Sequence, residues 1–426
     1  MLTTGAAANW AGNIRYGAAR VHRPGSVGEL RRIVASADRV RALGTGHSFN
    51  PIADTSGDLV RLDGLPREVD IDPRAMTATV GAGMRYAEVA ERLQVAGYAL
   101  ANLASLPHIS VAGACATGTH GSGETQRGLA AAVAGLETVG PEGDLTVLTR
   151  ADAPERLNGS VVGLGALGIV TSVTLDIEPA YEIAQRVYTG FPLDRLGADF
   201  DAVASAAYSV SVFTDWRGEA MVWLKRRTGG PEDGGSGGAT PEEWLGARLA
   251  AGPQHPVPGM PPAYCTDQSG TPGPWHERLP HFRPAFTPSK GAELQSELLL
   301  PRGAAAEAFA ALRELGELMA PVLQVSEIRT VAGDDQWLSP AQGRDSVALH
   351  FTWSQDTPAV LSAVAAMEER LMPLGARPHW GKLTTTAPEE ITARYEHAAA
   401  FRALLAESDP AGKFRNPYVD ALFPPL

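Results

Sequence analysis

Cysteine is scarce in these 426 residues: Cys115 and Cys265 are the two, far apart and in no CxxC pair. That argues against a disulfide framework or a thiolate zinc site and favours two reduced, buried thiols. Basic residues are in deficit, 36 Lys and Arg against 48 Asp and Glu, and the net charge of −12 speaks against nucleic acid or an anionic membrane surface as partner. No apolar run reaches the ~18 residues a bilayer span needs. Met1-Leu2-Thr3-Thr4-Gly5 has no basic start leading into an apolar core, so no secretory signal is expected, and the cytoplasm is the expected compartment. His255, His276 and His281 occupy a proline-rich region without ligand spacing, so no metal is expected.

The remaining composition, 44% hydrophobic and 20% charged, is that of an ordinary globular protein long enough for two domains. Ser26-Val27-Gly28-Glu29 has capping-box spacing ahead of Leu30, Ile33 and Val34. Thr77-Ala78-Thr79-Val80 reads as a strand, followed by a helix of Tyr86, Val89, Ala90 and Leu93 that stops near Gly97. Residues 161–178 return to glycine-punctuated strand character. Style changes near Pro179; residues 228–240 read as a flexible loop by composition, and Pro253 to Pro274 as irregular chain. A helix is predicted from Thr357 as cap and Pro358 in its first turn, burying Val360, Val364, Met367 and Leu371. Trp216 and Trp275 read as core or pocket wall. The expected fold class is α+β with two domains: residues 1–178, residues 179–380, and a segment 381–426 returning to the first.

Two glycine-rich stretches carry the chemistry. Gly44-Thr45-Gly46-His47-Ser48-Phe49-Asn50 follows the alternating run Arg39-Val40-Arg41-Ala42-Leu43, so a strand breaks into a turn whose backbone N–H groups can converge on a pyrophosphate. His47 then lies beside whatever that anion anchors. A tight glycine turn is common, and alone this signal is weak. Ala104 to Gly123 sharpens it: small residues allow a large ligand close to backbone, and hydroxyls and amides can bind polar edges.

With Gly113 to Gly123, the 44–48 turn resembles the FAD-binding half of the vanillyl-alcohol-oxidase-type flavoproteins, most closely their alditol-oxidising branch, over nearly the full length. The resemblance implies FAD bound between two α+β subdomains, beside a substrate domain built on a large antiparallel sheet flanked by helices. It implies cofactor contacts at Ala42, Leu43, Gly44, Thr45, Gly46, His47, Ser48, Ser105, Ser110, Gly113, Thr117, Gly118, Thr119, His120, Ile169 and His379. His47 would be joined covalently to the flavin; a neutral imidazole is nucleophilic enough to attack an electrophilic methyl carbon on the ring. Ala104 matches the position that governs oxygen access. Ala101-Asn102 departs from an expected Pro-Asn, which bears on loop rigidity more than on chemistry.

Val325 to Thr330 and Val347 to Trp353 read as strands on which Glu327 and Arg329 share a face, as do His350 and Thr352. From pattern alone these are first the solvent side of half-exposed strands; a polyhydroxylated ligand is the other explanation for them. The resemblance favours the second and assigns substrate contacts to Ser105, Glu327, Arg329, His350, Thr352 and Lys382, with Lys382 and His350 catalytic. Which of the two takes the hydroxyl proton stays open. The implied activity is oxidation of the terminal hydroxyl of an alditol such as xylitol or sorbitol to an aldose, by hydride transfer to flavin N5, with oxygen reduced to hydrogen peroxide. The polyol and oxygen are the expected partners of a monomer. A gulonolactone-like sugar-lactone oxidase or dehydrogenase is the alternative, or a flavin- or sugar-binding protein without turnover.

Overall fold

The alternating run before the first glycine turn forms strand Val40–Leu43, the edge of a three-stranded parallel sheet with Asp58–Arg61 central and Arg20–His22 beyond it. The computed structural model describes residues 8–229, 241–285 and 292–426. Met1 to Gly5, and residues 230–240 of the glycine-rich stretch, lie outside the described residues. Helix Val27–Ser36 begins where Ser26 accepts a hydrogen bond from the Glu29 N–H at 3.1 Å. Glu29 turns to the Gly25 N–H instead of reaching back to Ser26, so only half of the predicted capping box forms.

A five-stranded antiparallel sheet follows, in the order Val69–Asp72, Thr77–Gly81, Ile169–Asp176, Val133–Val139, Leu145–Thr149. Helix Tyr86–Val95 buries Tyr86, Val89, Ala90 and Leu93 as predicted. The strand expected over 161–178 is shorter. Val161 ends helix Pro154–Val161, and Leu164 and Gly165 take left-handed backbone that cannot enter a ladder, so pairing starts at Ile169.

The second half is built on a ten-stranded sheet whose centre runs Glu219–Thr228, Ser209–Thr214, Leu323–Val331, Ser346–Trp353, Leu294–Pro301, all antiparallel. One face is apolar: Val210, Val222, Ile328, Leu349, Phe351 and Trp353 pack with helices Leu196–Ala204, Ala305–Glu314 and Thr357–Leu371. The last helix is capped one residue earlier than predicted. Asp356 accepts from the Ala359 N–H at 3.2 Å, because a carboxylate satisfies a free first-turn donor, which leaves Thr357 inside the helix. Trp216 belongs to this core and Trp275 to the other.

The end of the chain packs on its beginning. Phe401, Phe414, Val419 and Phe423 share one core with Leu30, Val34 and Val40, and the Val40 N–H donates to the Lys413 carbonyl at 2.9 Å. No helix among the described residues is long and apolar enough to cross a membrane. The observed architecture is α+β, with the large antiparallel sheet flanked by helices.

Candidate active site

Strand Val40–Leu43 delivers the chain into the turn at Gly44. There a Cβ would collide with the Ser110 hydroxyl, and Gly46 needs φ of +70°, so glycine is required at both positions. The Ser110 N–H donates to Thr45 Oγ1 at 3.2 Å, which brings the two glycine-rich stretches together. Both line one cavity that is partly open to solvent.

Ala42, Leu43, Gly44, Thr45, Gly46, His47, Ser48, Ser105, Ser110, Gly113, Thr117, Thr119, His120 and His379 all lie on its wall, and so does Ala104. Three predicted residues do not. Gly118 faces Pro340, Ile169 is buried in the core where its strand pairs with Val139, and Thr352 stands behind His350. His47 stacks on Trp10, ring centroids 5.1 Å apart and planes 18° from parallel. Burial first, then the nearby His108 and Arg85, push the His47 imidazole down to about 4, so it is neutral at pH 7. Its Nδ1 is buried without a hydrogen-bond partner.

The opposite wall is the polar face of the large sheet. Phe213, Glu327, His350 and Glu297 are cross-strand neighbours on four adjacent strands, so their side chains share that face. Lys382 Nζ lies 2.7 Å from Glu297 Oε2 and 2.7 Å from His350 Nδ1. Arg329 Nη2 donates to Glu297 Oε1 at 2.6 Å, and Nη1 lies 3.5 Å from Ser105 Oγ. His350 Nε2 is 3.3 Å from Thr352 Oγ1. His120 Nε2 is 3.4 Å from Glu297 Oε1, too poorly aligned to be a hydrogen bond.

Burial alone would raise both carboxyls. For Glu297, Lys382 and then Arg329 outweigh it and hold the group well below the usual carboxylate range. For Glu327, Arg329 and then His281 do the same. Burial and the Lys382 charge hold His350 well below the ordinary imidazole value, and His379 falls to about 3 for the same two reasons. Lys382 is lowered by burial against the pull of Glu297. Two carboxylates therefore face two cations, with neutral imidazoles between them.

Residues 18–149 match the FAD binding domain family, and residues 293–422 match the family described as D-arabinono-1,4-lactone oxidase. The chain is 54% identical over 419 residues to an alditol oxidase from a Streptomyces species, covering 97% of this chain and 98% of that one. It belongs to the alditol oxidase family. It is accordingly a FAD-dependent oxidase, and its fold is of the vanillyl-alcohol-oxidase type. An L-gulono-1,4-lactone dehydrogenase of Mycobacterium tuberculosis is 27% identical over 98% of this chain and 99% of its own. Among solved structures, cholesterol oxidase from B. sterolicum superposes with a TM-score of 0.78 over 100% of this chain and 97% of that one, at 16% identity, which speaks to fold alone.

The residues present fit the family's cofactor. Gly44, Thr45 and Gly46 put a turn with little side chain on the cavity wall, and the orphaned His47 Nδ1 is a buried polar atom that needs a bond to something. Among the described residues no group of three or more His, Cys, Asp or Glu could hold a metal ion.

Sequence reasoning missed Glu297 and Gln295, both on the cavity wall, and Trp10 beside His47. A signal existed for the first two. Gln295 and Glu297 alternate with Ser296 and Leu298 along strand Leu294–Pro301, but the following leucines make the segment read as an all-buried strand.

Proposed function

We propose that this chain oxidises the terminal hydroxyl of an alditol, such as xylitol or sorbitol, to the aldose. FAD is held covalently through His47, and oxygen is the electron acceptor. The observation that carries this reading is the pair of a partly buried Lys382 and a buried His350, set among Glu297, Glu327 and Arg329 and facing the glycine turn across one cavity. So many polar groups walled off together need a polar ligand, and a polyol offers a hydroxyl to each. The near-complete alignment with an alditol oxidase at 54% identity, against 27% for the lactone dehydrogenase, supports the open-chain substrate over the cyclic one.

Bound FAD would supply the hydride acceptor and pass the electrons on to oxygen, giving peroxide. The protein's part is to hold the reacting carbon and remove the hydroxyl proton. Two of the Lys382 hydrogens go to Glu297 and His350, which leaves the third for the substrate's C1 oxygen. Lys382 first gives its shared hydrogen to His350 Nδ1, and the neutral amine so formed takes the hydroxyl proton as hydride leaves. The imidazolium so formed is held by the two buried carboxylates. Thr352 orients His350 through Nε2, while Glu327, Arg329 and Ser105 take the remaining hydroxyls. The small Ala104 leaves room for oxygen on the cavity wall. His47, neutral and with its Nδ1 unpartnered, is in the protonation state a nucleophile needs.

A cytoplasmic monomer fits two further facts: both cysteines are unpaired and buried, and the exposed large apolar side chains are scattered among the described residues. Peroxide release in air from xylitol or sorbitol, with none from L-gulono-1,4-lactone, is the expected result. The reverse preference would replace this reading with the lactone one.

A further inference from the structure

Beside the polar face of the sheet, two buried residues that no step above uses, Lys225 and His281, join Glu327 in a cluster. Lys225 comes from strand Glu219–Thr228, Glu327 from Leu323–Val331, and His281 from the chain after Trp275–Arg278. The His281 ring sits in an aromatic slot, edge-on to Phe213 at 5.3 Å and Trp223 at 5.1 Å. Its Nε2 is 2.8 Å from Glu327 Oε1, and its Nδ1 is 3.1 Å from Lys225 Nζ. Lys225 also donates to the carbonyl oxygens of Leu279 and Pro280. The backbone N–H of His281 donates to the Ser105 carbonyl at 3.1 Å, so this one residue touches both a wall carboxylate and the loop carrying a wall hydroxyl.

The donor count fixes the imidazole. An ammonium has three hydrogens and no lone pair, so every ring nitrogen it contacts must accept; Lys225 contacts two carbonyl oxygens and His281 Nδ1. Nδ1 is therefore an acceptor, and the ring proton is on Nε2, aimed at Glu327. A neutral amine has one hydrogen fewer and would present its own lone pair to Nδ1. The other tautomer would turn an imidazole lone pair toward a buried carboxylate. The charge of Glu327 opposes the loss of the Lys225 proton, although burial draws that group down to about 7.

We infer that His281, its tautomer set by Lys225, is a positioning residue for Glu327. It pins one carboxylate oxygen so that the other is presented to polyol hydroxyls away from the reacting carbon, and it thereby contributes to preference for long alditols over short ones. This rests on the reading of Glu327 as a polyol contact. His281 touches neither substrate nor cofactor in this arrangement; it acts through Glu327.

The test is steady-state kinetics of the FAD-loaded protein with sorbitol and with glycerol. His281→Phe keeps the aromatic slot filled and removes the donor. A charge-assisted hydrogen bond of this kind is worth about tenfold in KM for sorbitol, with kcat and the glycerol KM little changed. His281→Gln, whose amide can still donate to Glu327, should recover most of the loss, and Lys225→Met should raise the sorbitol KM in the same direction. The double variant His281→Phe with Glu327→Gln should bind sorbitol no worse than Glu327→Gln alone.

Equal losses on both substrates, or full additivity in the double variant, would overturn the inference while leaving Glu327 in the site. An unchanged sorbitol KM in Glu327→Gln would instead remove the reading beneath it, and the inference with it. Should His281→Phe fail to fold, His281→Gln and Lys225→Met decide by the same split: no sorbitol-specific change in Lys225→Met counts against the inference.

Discussion

Glu297 accepts from Lys382 and Arg329 at 2.7 and 2.6 Å and is fully enclosed, so each cation depends on it for part of its solvation. Glu297→Gln should cost roughly 1.5–3 kcal/mol of stability, the worth of hydrogen bonds to charged groups, read as a lower midpoint in urea. It should also make the Lys382 proton easier to lose, since the carboxylate is what holds it up against burial. Lys382→Ala removes the group proposed to receive the hydroxyl proton. Flavin reduction by xylitol should then slow by about 10²–10⁴-fold, the usual contribution of positioned acid–base groups, with reoxidation by oxygen nearly unchanged in stopped-flow absorbance. His47→Ala should leave flavin that washes out on acid precipitation; yellow colour surviving in the pellet would refute the attachment point.

Single strands show why the sites can be built at all. Along Ser346–Trp353, His350 and Thr352 face the cavity side while Leu349, Phe351 and Trp353 face the helices, so one strand serves core and site together. Leu349→Ala should cost about 2–5 kcal/mol by leaving a cavity on the helix side, and Asp356→Ala about 0.5–2 kcal/mol by uncapping Thr357–Leu371. Both should shift thermal unfolding without changing the KM for xylitol.

The same alternation decided what was legible. Glu327 with Arg329, and His350 with Thr352, stand at period-2 positions in their strands, so the face each pair shares could be read; pattern alone turned that face to solvent, whereas all four residues are buried. Glu297 could not be read, because Leu298, Leu299 and Leu300 drown the alternation that Gln295 begins. The cap at Asp356 and the late start of strand Ile169–Asp176 depend on side-chain reach and on left-handed backbone at Leu164 and Gly165, neither of which hydrophobic period reports. The tautomer of His281 depends on Lys225 and Glu327, 56 and 46 residues away in sequence, and no local pattern joins them.

At the scale of the molecule, the chain's end is tied to its start. Arg41 donates to the Phe414 carbonyl at 2.7 Å, and Asn50 to the Trp380 carbonyl at 2.8 Å. Buried histidines then set the acid limit of the fold. His281 is lowered to about 4 and His379 to about 3, chiefly by burial, against roughly 6.5 in an unfolded chain. Between those values the unfolded state binds more protons, so stability rises with pH and is lost as pH falls below about 6.5 toward 4. Melting temperatures measured across that window should fall steadily toward acid; a flat profile would mean these rings are already charged in the fold.

The central claim is that a FAD tethered in this cavity is reduced by an open-chain polyol. Adding xylitol to the purified yellow protein without air should bleach the flavin band, and admitting air should restore it with one peroxide formed per xylitol oxidised. A band untouched by xylitol but bleached by L-gulono-1,4-lactone would contradict the account.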